Sequence, residues 1–257
     1  MTGRARSRIA IALAAVLAAT GIAALATMAS MTVRATGLDP DPYGIAKEQQ
    51  GEAKAVDDGF PPVDWGYWLS ANPDIVGWVT VPDTGIDYPV MQGSTDDPTH
   101  YLYHDACGNW NYHGTPYLSW ECEEAGLLGS GNALVFGHHL QDGTMFSALA
   151  GFIDAGYAEG HSPILVQTPD EKAKLQVIAV DVVDASTETV KLGFETAEAQ
   201  AEWLRKTVAN ADLALAPSDF DYSSAISVVT LCTCSYSRWS NERTLVYCTP
   251  QEVIPND

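Results

Sequence analysis

The chain has 257 residues, and its 33 Asp and Glu outweigh its 13 Lys and Arg to give a formal net charge of −20. That balance leaves no basic patch to neutralise phosphates, which argues against a nucleic-acid partner. The acidity reads as a solvated, soluble face.

The first element in the chain is an uncharged apolar run, residues 9–33, preceded by Arg4, Arg6 and Arg8 and closed by Arg34. As a helix it is long enough to cross a hydrocarbon core of roughly 30 Å. The arginines keep residues 1–8 in the cytoplasm and place everything after Arg34 outside, as a single-pass membrane protein. Ala24-Leu25-Ala26 would also serve as a signal-peptide cleavage site, but the run exceeds a usual signal core, which favours a retained transmembrane anchor. Both readings export the remainder. Residues 35–60 are polar with Pro and Gly punctuation and read as a stalk, with one candidate helix near Ile45 to Val56. The exported domain then occupies residues 61–257, a length that suits one well-filled core.

Its apolar pattern begins at Trp65. From Ile75 onward short segments rich in β-branched and aromatic residues predict strands. They are I-V-G-W-V-T-V, I-D-Y-P-V-M, A-L-V-F, I-L-V-Q-T, L-Q-V-I-A-V-D-V-V, I-S-V-V-T-L-C-T-C and T-L-V-Y-C. One helix interrupts them from Thr196 to about Asn210, with Thr196 as N-cap and Glu198 in the first turn. Many short strands and one inserted helix predict a mainly β fold, a closed barrel or a sandwich.

Two of the five cysteines, Cys107 and Cys122, lie fifteen residues apart in a loop-like stretch. In an exported chain they read either as a disulfide or as two thiols. The other three, Cys232, Cys234 and Cys248, lack the C-x₂₋₄-C rhythm of a zinc knuckle, so no metal site is expected.

The segment T-L-C-T-C raises a different question. On a strand, Cys232 and Cys234 share one face. Periodicity therefore leaves them equivalent, and position separates them: Cys232 lies within the strand and Cys234 at its end, before the polar loop S-Y-S-R-W-S-N-E. An antiparallel hairpin across that loop returns Arg243 beside Cys234, with opposed Cβ atoms about 5 Å apart. A guanidinium there favours a thiolate and supplies donors to an oxyanion formed when sulfur attacks a carbonyl. The same register sets Cys248 opposite Val229, on the other face from Cys232.

A catalytic cysteine needs a base. Of the six histidines, most sit among polar residues, but His138 and His139 follow the strand N-A-L-V-F-G where it breaks into L-Q-D-G-T-M-F. A strand-end histidine can serve as acid or base to a nucleophile on a neighbouring strand end. Adjacent residues point differently, so only one of the pair is expected to face the site.

With these residues in view the chain resembles a sortase, specifically of class B. The resemblance runs from N-P-D-I-V-G-W-V-T-V-P through Y-P-V-M-Q-G, Y-L-Y-H-D, N-A-L-V-F-G-H-H and D-G-T-M-F to T-L-C-T-C and the Arg243 strand. It implies a closed eight-stranded β-barrel with peripheral helices, a membrane anchor and a cell-surface setting in a Gram-positive organism. It also implies that Cys234 attacks the carbonyl of a Thr in a C-terminal sorting motif, of N-P-x-T-x type, on a secreted protein. The resulting thioacyl enzyme is then resolved by an amine of a cell-wall peptide precursor or a pilin lysine. The resemblance selects His138, which follows the Gly of the G-H pattern, as acid/base. It assigns Arg243 as oxyanion or carbonyl donor and Thr233 as a further contact near the oxyanion. No cofactor is implied. Some class B members carry acidic residues directly after the cysteine; here Ser235 and Tyr236 stand there, so no carboxylate partner is assigned.

Two other readings compete. A papain-like cell-wall peptidase or amidase would carry Cys on a helix and before His, the reverse of this order. A non-enzymatic surface binding module would leave Cys, His and Arg without a shared purpose.

Overall fold

The computed structural model describes residues 58–187, 189–235 and 241–256. The expected transmembrane helix over 9–33 and the candidate stalk helix lie outside these residues. Among the described residues no helix is long and apolar enough to cross a membrane.

A short helix, α1 (Trp65–Ala71), opens the domain, its first turn capped by the Asp64 carboxylate accepting from Tyr67 N at 2.9 Å. It buries Trp68 against Trp78, ring centroids 5.4 Å apart. Strands β1 (Ile75–Thr80) and β2 (Asp87–Gln92) form an antiparallel hairpin. The two-residue strand β3 (Tyr117–Leu118) pairs parallel with β2 and antiparallel with β4 (Gly131–Phe136). After α2 (Ala155–Gly160) come β5 (Ile164–Gln167) and the long β6 (Glu171–Asp184). Helix α3 (Ala197–Asn210), the two-residue β7 (Leu213–Ala214), β8 (Ser227–Ser235) and β9 (Glu242–Pro255) complete the order.

The sheet order β5-β1-β2-β3-β4-β8-β9-β6 closes on itself through β5–β6 pairing, giving an eight-stranded barrel; β7 is appended to the outer half of β6. The expected barrel is present and the sandwich alternative is not. All the strands expected from sequence form. β6 and β9 extend further than expected; in β6 charge masks a buried stretch, since Lys172 is 8% exposed with its ammonium 2.7 Å from Asp58, and the exposed end of β9 pairs with that stretch. Asp58 and Phe60, read from sequence as the end of the stalk, pack against β6 instead. α1, α2, β3 and β7 were not expected, each being too short to impose a period on the sequence.

Side chains alternate cleanly along β4, β8 and β9. Ala133, Val135, Val229, Leu231, Val246 and Cys248 join the barrel interior. Leu134, Val228, Cys232, Leu245 and Tyr247 face outward into a second cluster, under Leu204 and Val208 of α3. Burial on both faces explains why these strands read as continuous apolar runs. α3 is seated by its Thr196 cap, which accepts from Ala199 N at 3.2 Å. It is also held by Gln200, whose buried amide donates to the carbonyls of Ala225 (3.0 Å) and Ile226 (2.9 Å). Cys107 is exposed and Cys122 buried, and no disulfide joins them.

Leu204 is fully buried between α3 and the sheet. Leu204→Ala is expected to lower unfolding stability by about 3 kcal/mol through the cavity it leaves. Urea denaturation should show a reduced midpoint at unchanged slope.

Candidate active site

The C-terminal end of β8 opens into a groove of about 590 Å³. Its walls come from residues 98–103, from 117–121, from the end of β4 through His138, and from Arg243 on β9. In the β8–β9 ladder Cys234 stands directly opposite Arg243, and Val229 opposite Cys248, the register expected from sequence.

Burial separates the two cysteines that periodicity left equal. Cys232 is 4% exposed, and burial pushes its thiol up to about 12, so it stays protonated as a core residue. Cys234, two residues nearer the strand end, is half-buried and lines the groove. Arg243 donates one guanidinium N–H to the carbonyl of Glu242 at 3.0 Å, which fixes the side chain along the groove wall.

The adjacent histidines point in different directions. His138 lines the groove with its Nε2 2.8 Å from the carbonyl of Leu102 and its ring 5.7 Å from that of Tyr103. A carbonyl only accepts, so Nε2 carries the proton and Nδ1 is the nitrogen left for acid/base exchange. Burial lowers the affinity of His138 for a second proton; the Leu102 carbonyl works against this and the nearby His113 adds to it, with a net downward shift. His139 turns away and donates from Nδ1 to the carbonyl of Cys234 at 2.7 Å, bracing the peptide that carries the thiol.

Two small residues hold this arrangement. A Cβ on Gly137 would lie 2.5 Å from the Phe146 ring, so only glycine lets that ring pack where the chain turns into His138. The N–H of Phe146 then donates to the His138 carbonyl at 2.8 Å. These two contacts explain why G-H-H and D-G-T-M-F occur together. Thr233 points inward, 1% exposed, and its hydroxyl donates to Gly137 O at 3.0 Å. That donor is spent on joining β8 to the end of β4.

Sequence reasoning missed several members of the site. Tyr117 lines the groove, its ring buried and its phenol pushed up to about 12, first by burial and then by the nearby thiols. The Leu102 carbonyl has no side-chain signature at all. His113, passed over as one polar-loop histidine among several, is 5% exposed and bonded to Asp142 at 3.1 Å.

The sortase-domain family profile matches residues 79–251, about two thirds of the chain. The chain belongs to the sortase family. Sortase B of Staphylococcus aureus is 29% identical over 167 residues, covering 63% of this chain and 64% of that protein. The chain thus aligns with slightly under two thirds of the length of that curated relative. Among solved structures, Clostridium perfringens sortase B superposes with a TM-score of 0.64 at 23% identity, covering 73% of this chain and 99% of that one. Staphylococcus aureus sortase B gives a TM-score of 0.68 at 21% identity, covering 85% and 99%. Each of these relatives is a sortase B, and the segment matched by the family profile contains the whole His138, Cys234 and Arg243 constellation.

Gly137→Ala in this sortase domain is expected to cost roughly 1–3 kcal/mol by overpacking against Phe146, read as a lowered thermal midpoint. The depressed proton affinity of His138 sets a second expectation. The unfolded chain binds that proton more readily, so the His138 contribution to stability is present above the ordinary imidazole value and declines as pH falls below it. Urea unfolding between about pH 7 and pH 5 should show wild type losing stability relative to His138→Gln; parallel curves would contradict the burial argument.

Proposed function

We propose that this protein is a membrane-anchored cysteine transpeptidase acting on secreted proteins that carry a C-terminal sorting motif. The observation that carries the reading is the Cys234–Arg243 rung at a strand end, in one groove with His138. His138 Nδ1 takes the thiol proton as the sulfur of Cys234 attacks the carbonyl carbon of the motif Thr, and the carbonyl electrons move onto oxygen. Arg243, directly opposite on the ladder, donates to that oxyanion. As the tetrahedral species collapses, the C–N bond breaks. His138 protonates the departing amine, leaving a thioester on Cys234. An incoming amine, from a cell-wall peptide precursor or a pilin lysine, gives its proton to His138, displaces the sulfur and forms a new amide. The Thr233 hydroxyl is bonded to Gly137, which suits a supporting role better than a contact with substrate. The apolar run at 9–33 supplies the anchor and keeps the domain on the outer face of the membrane.

The papain-like alternative fares less well, since Cys234 sits on a strand with His138 before it in sequence. A plain binding module leaves unexplained a thiol, an imidazole and a guanidinium lining one groove.

The test incubates the full chain with N-P-x-T-x peptides and an amine such as a glycine oligomer. Mass spectrometry is expected to show cleavage after Thr and an acyl adduct on Cys234. Cys234→Ala should abolish both. His138→Ala should slow turnover by about 10²–10⁴, and Arg243→Ala by about 10²–10³, chiefly in kcat. Peptide retention without any bond cleavage would favour the binding module.

A further inference from the structure

The groove depends on the orientation of one imidazole, and that imidazole is held by a backbone carbonyl on a strap with no regular secondary structure beyond a single 3₁₀ turn. Residues 101–115 fold back on themselves. Thr115 N donates to Tyr101 O and Asn111 N to Tyr103 O, each at 2.8 Å, on either side of the Leu102 carbonyl. Gly114, at φ +62°, abuts that carbonyl so closely that any side chain would displace it. The strap is cross-linked to itself, and its link to the loop after His139 comes from the residue next to Gly114.

That residue is His113. Its ring is buried, and Nε2 lies 3.1 Å from the Asp142 carboxylate. The second ring nitrogen, Nδ1, has no hydrogen-bond partner among the described residues, so there the bond to Asp142 is the ring's one polar anchorage. Asp142 is itself fixed, accepting from Thr144 N at 3.0 Å and Thr144 Oγ1 at 2.7 Å. Two residues on, Phe146 N bonds the carbonyl of His138. The bonds therefore form a closed circuit. It runs from the His138 ring to Leu102, through the strap to His113, across to Asp142, and back through Phe146 to the His138 backbone.

Resting on the transpeptidase reading, we propose that His113 and Asp142 are positioning residues for His138. They hold the Leu102 carbonyl against Nε2, so that the ring keeps one tautomer and leaves Nδ1 for proton transfer. Opening the circuit at His113–Asp142 leaves the strap pinned on the Tyr101 side, where the Tyr101 hydroxyl bonds Asp74 and Asn72, and releases it from the loop after His139 on the Gly114 side of the Leu102 carbonyl. The Leu102 carbonyl can then drift, and a small misplacement of a catalytic group is costly in rate. Neither β8 nor β9 contributes a bond to the circuit; His139, in the same loop, touches β8 through the carbonyl of Cys234.

The test uses the full chain and its His113→Ala, Asp142→Asn and His113→Gln variants. Imidazole ¹⁵N shifts at about pH 8, where His138 is neutral, report which ring nitrogen bears the proton. Wild type is expected to show a single Nε2–H tautomer. His113→Ala and Asp142→Asn should show a mixture, with kcat for motif-peptide cleavage reduced roughly tenfold at a nearly unchanged KM. His113→Gln places an amide donor where Nε2 stood and should restore both the tautomer and most of kcat. A retained single tautomer in folded His113→Ala and Asp142→Asn would overturn the proposal. So would a loss of rate that only tracks the folded fraction. If wild type cleaves no peptide, the transpeptidase reading fails, and the tautomer measurement still decides the role of His113 and Asp142.

Discussion

The antiparallel ladder between β8 and β9 sets the geometry on which the rest of the site depends. A side-chain period of two means that a slip of one residue would send Arg243 to the barrel interior and leave Cys234 facing a different neighbour. The register is held because both faces of these strands are buried. Val229, Leu231, Val246 and Cys248 fill the barrel, while Cys232, Leu245 and Tyr247 fill the cluster beneath α3. Packing on both sides thus fixes a cation on the same rung as a thiol at the mouth of the groove.

The same two-sided burial explains why two cysteines on one strand face differ in chemistry. Cys232 packs into the cluster with Leu204 and Val208 at the floor of the groove, where loss of solvation outweighs the pull of Arg243 toward a thiolate. Cys234 lies past that cluster, beside solvent and Arg243. A shift of two positions along one strand separates a core residue from a candidate nucleophile.

Backbone carbonyls organise the histidines. Leu102 O holds His138 and the carbonyl of Cys234 holds His139, so each ring has a defined tautomer and a defined direction. Gly137 and Gly114 serve these contacts by letting Phe146 and the Leu102 carbonyl come close. The loops that carry no regular structure are thereby as constrained around His138 as the strands are around Cys234.

Much was legible in the sequence because it rests on local rules. β-Branched runs between turn residues marked the strands, Thr196 marked the start of α3, and a hairpin across a short polar loop put Arg243 beside Cys234. The pattern around His138, Cys234 and Arg243 carried the family resemblance. Other features depend on contacts between segments far apart in the chain. The ring closed only through β5–β6 pairing, and Lys172 could be buried only because Asp58 reached it. Neither the carbonyl that orients His138 nor the His113–Asp142 bond has a periodic signature, since each joins segments about thirty residues apart or more. The sequence by itself determined the longer strands and the pairing of Cys234 with Arg243, because adjacent strands and turns obey short-range geometry. Tertiary structure alone decided what holds His138 in the groove, because that contact is made by through-space packing of loops.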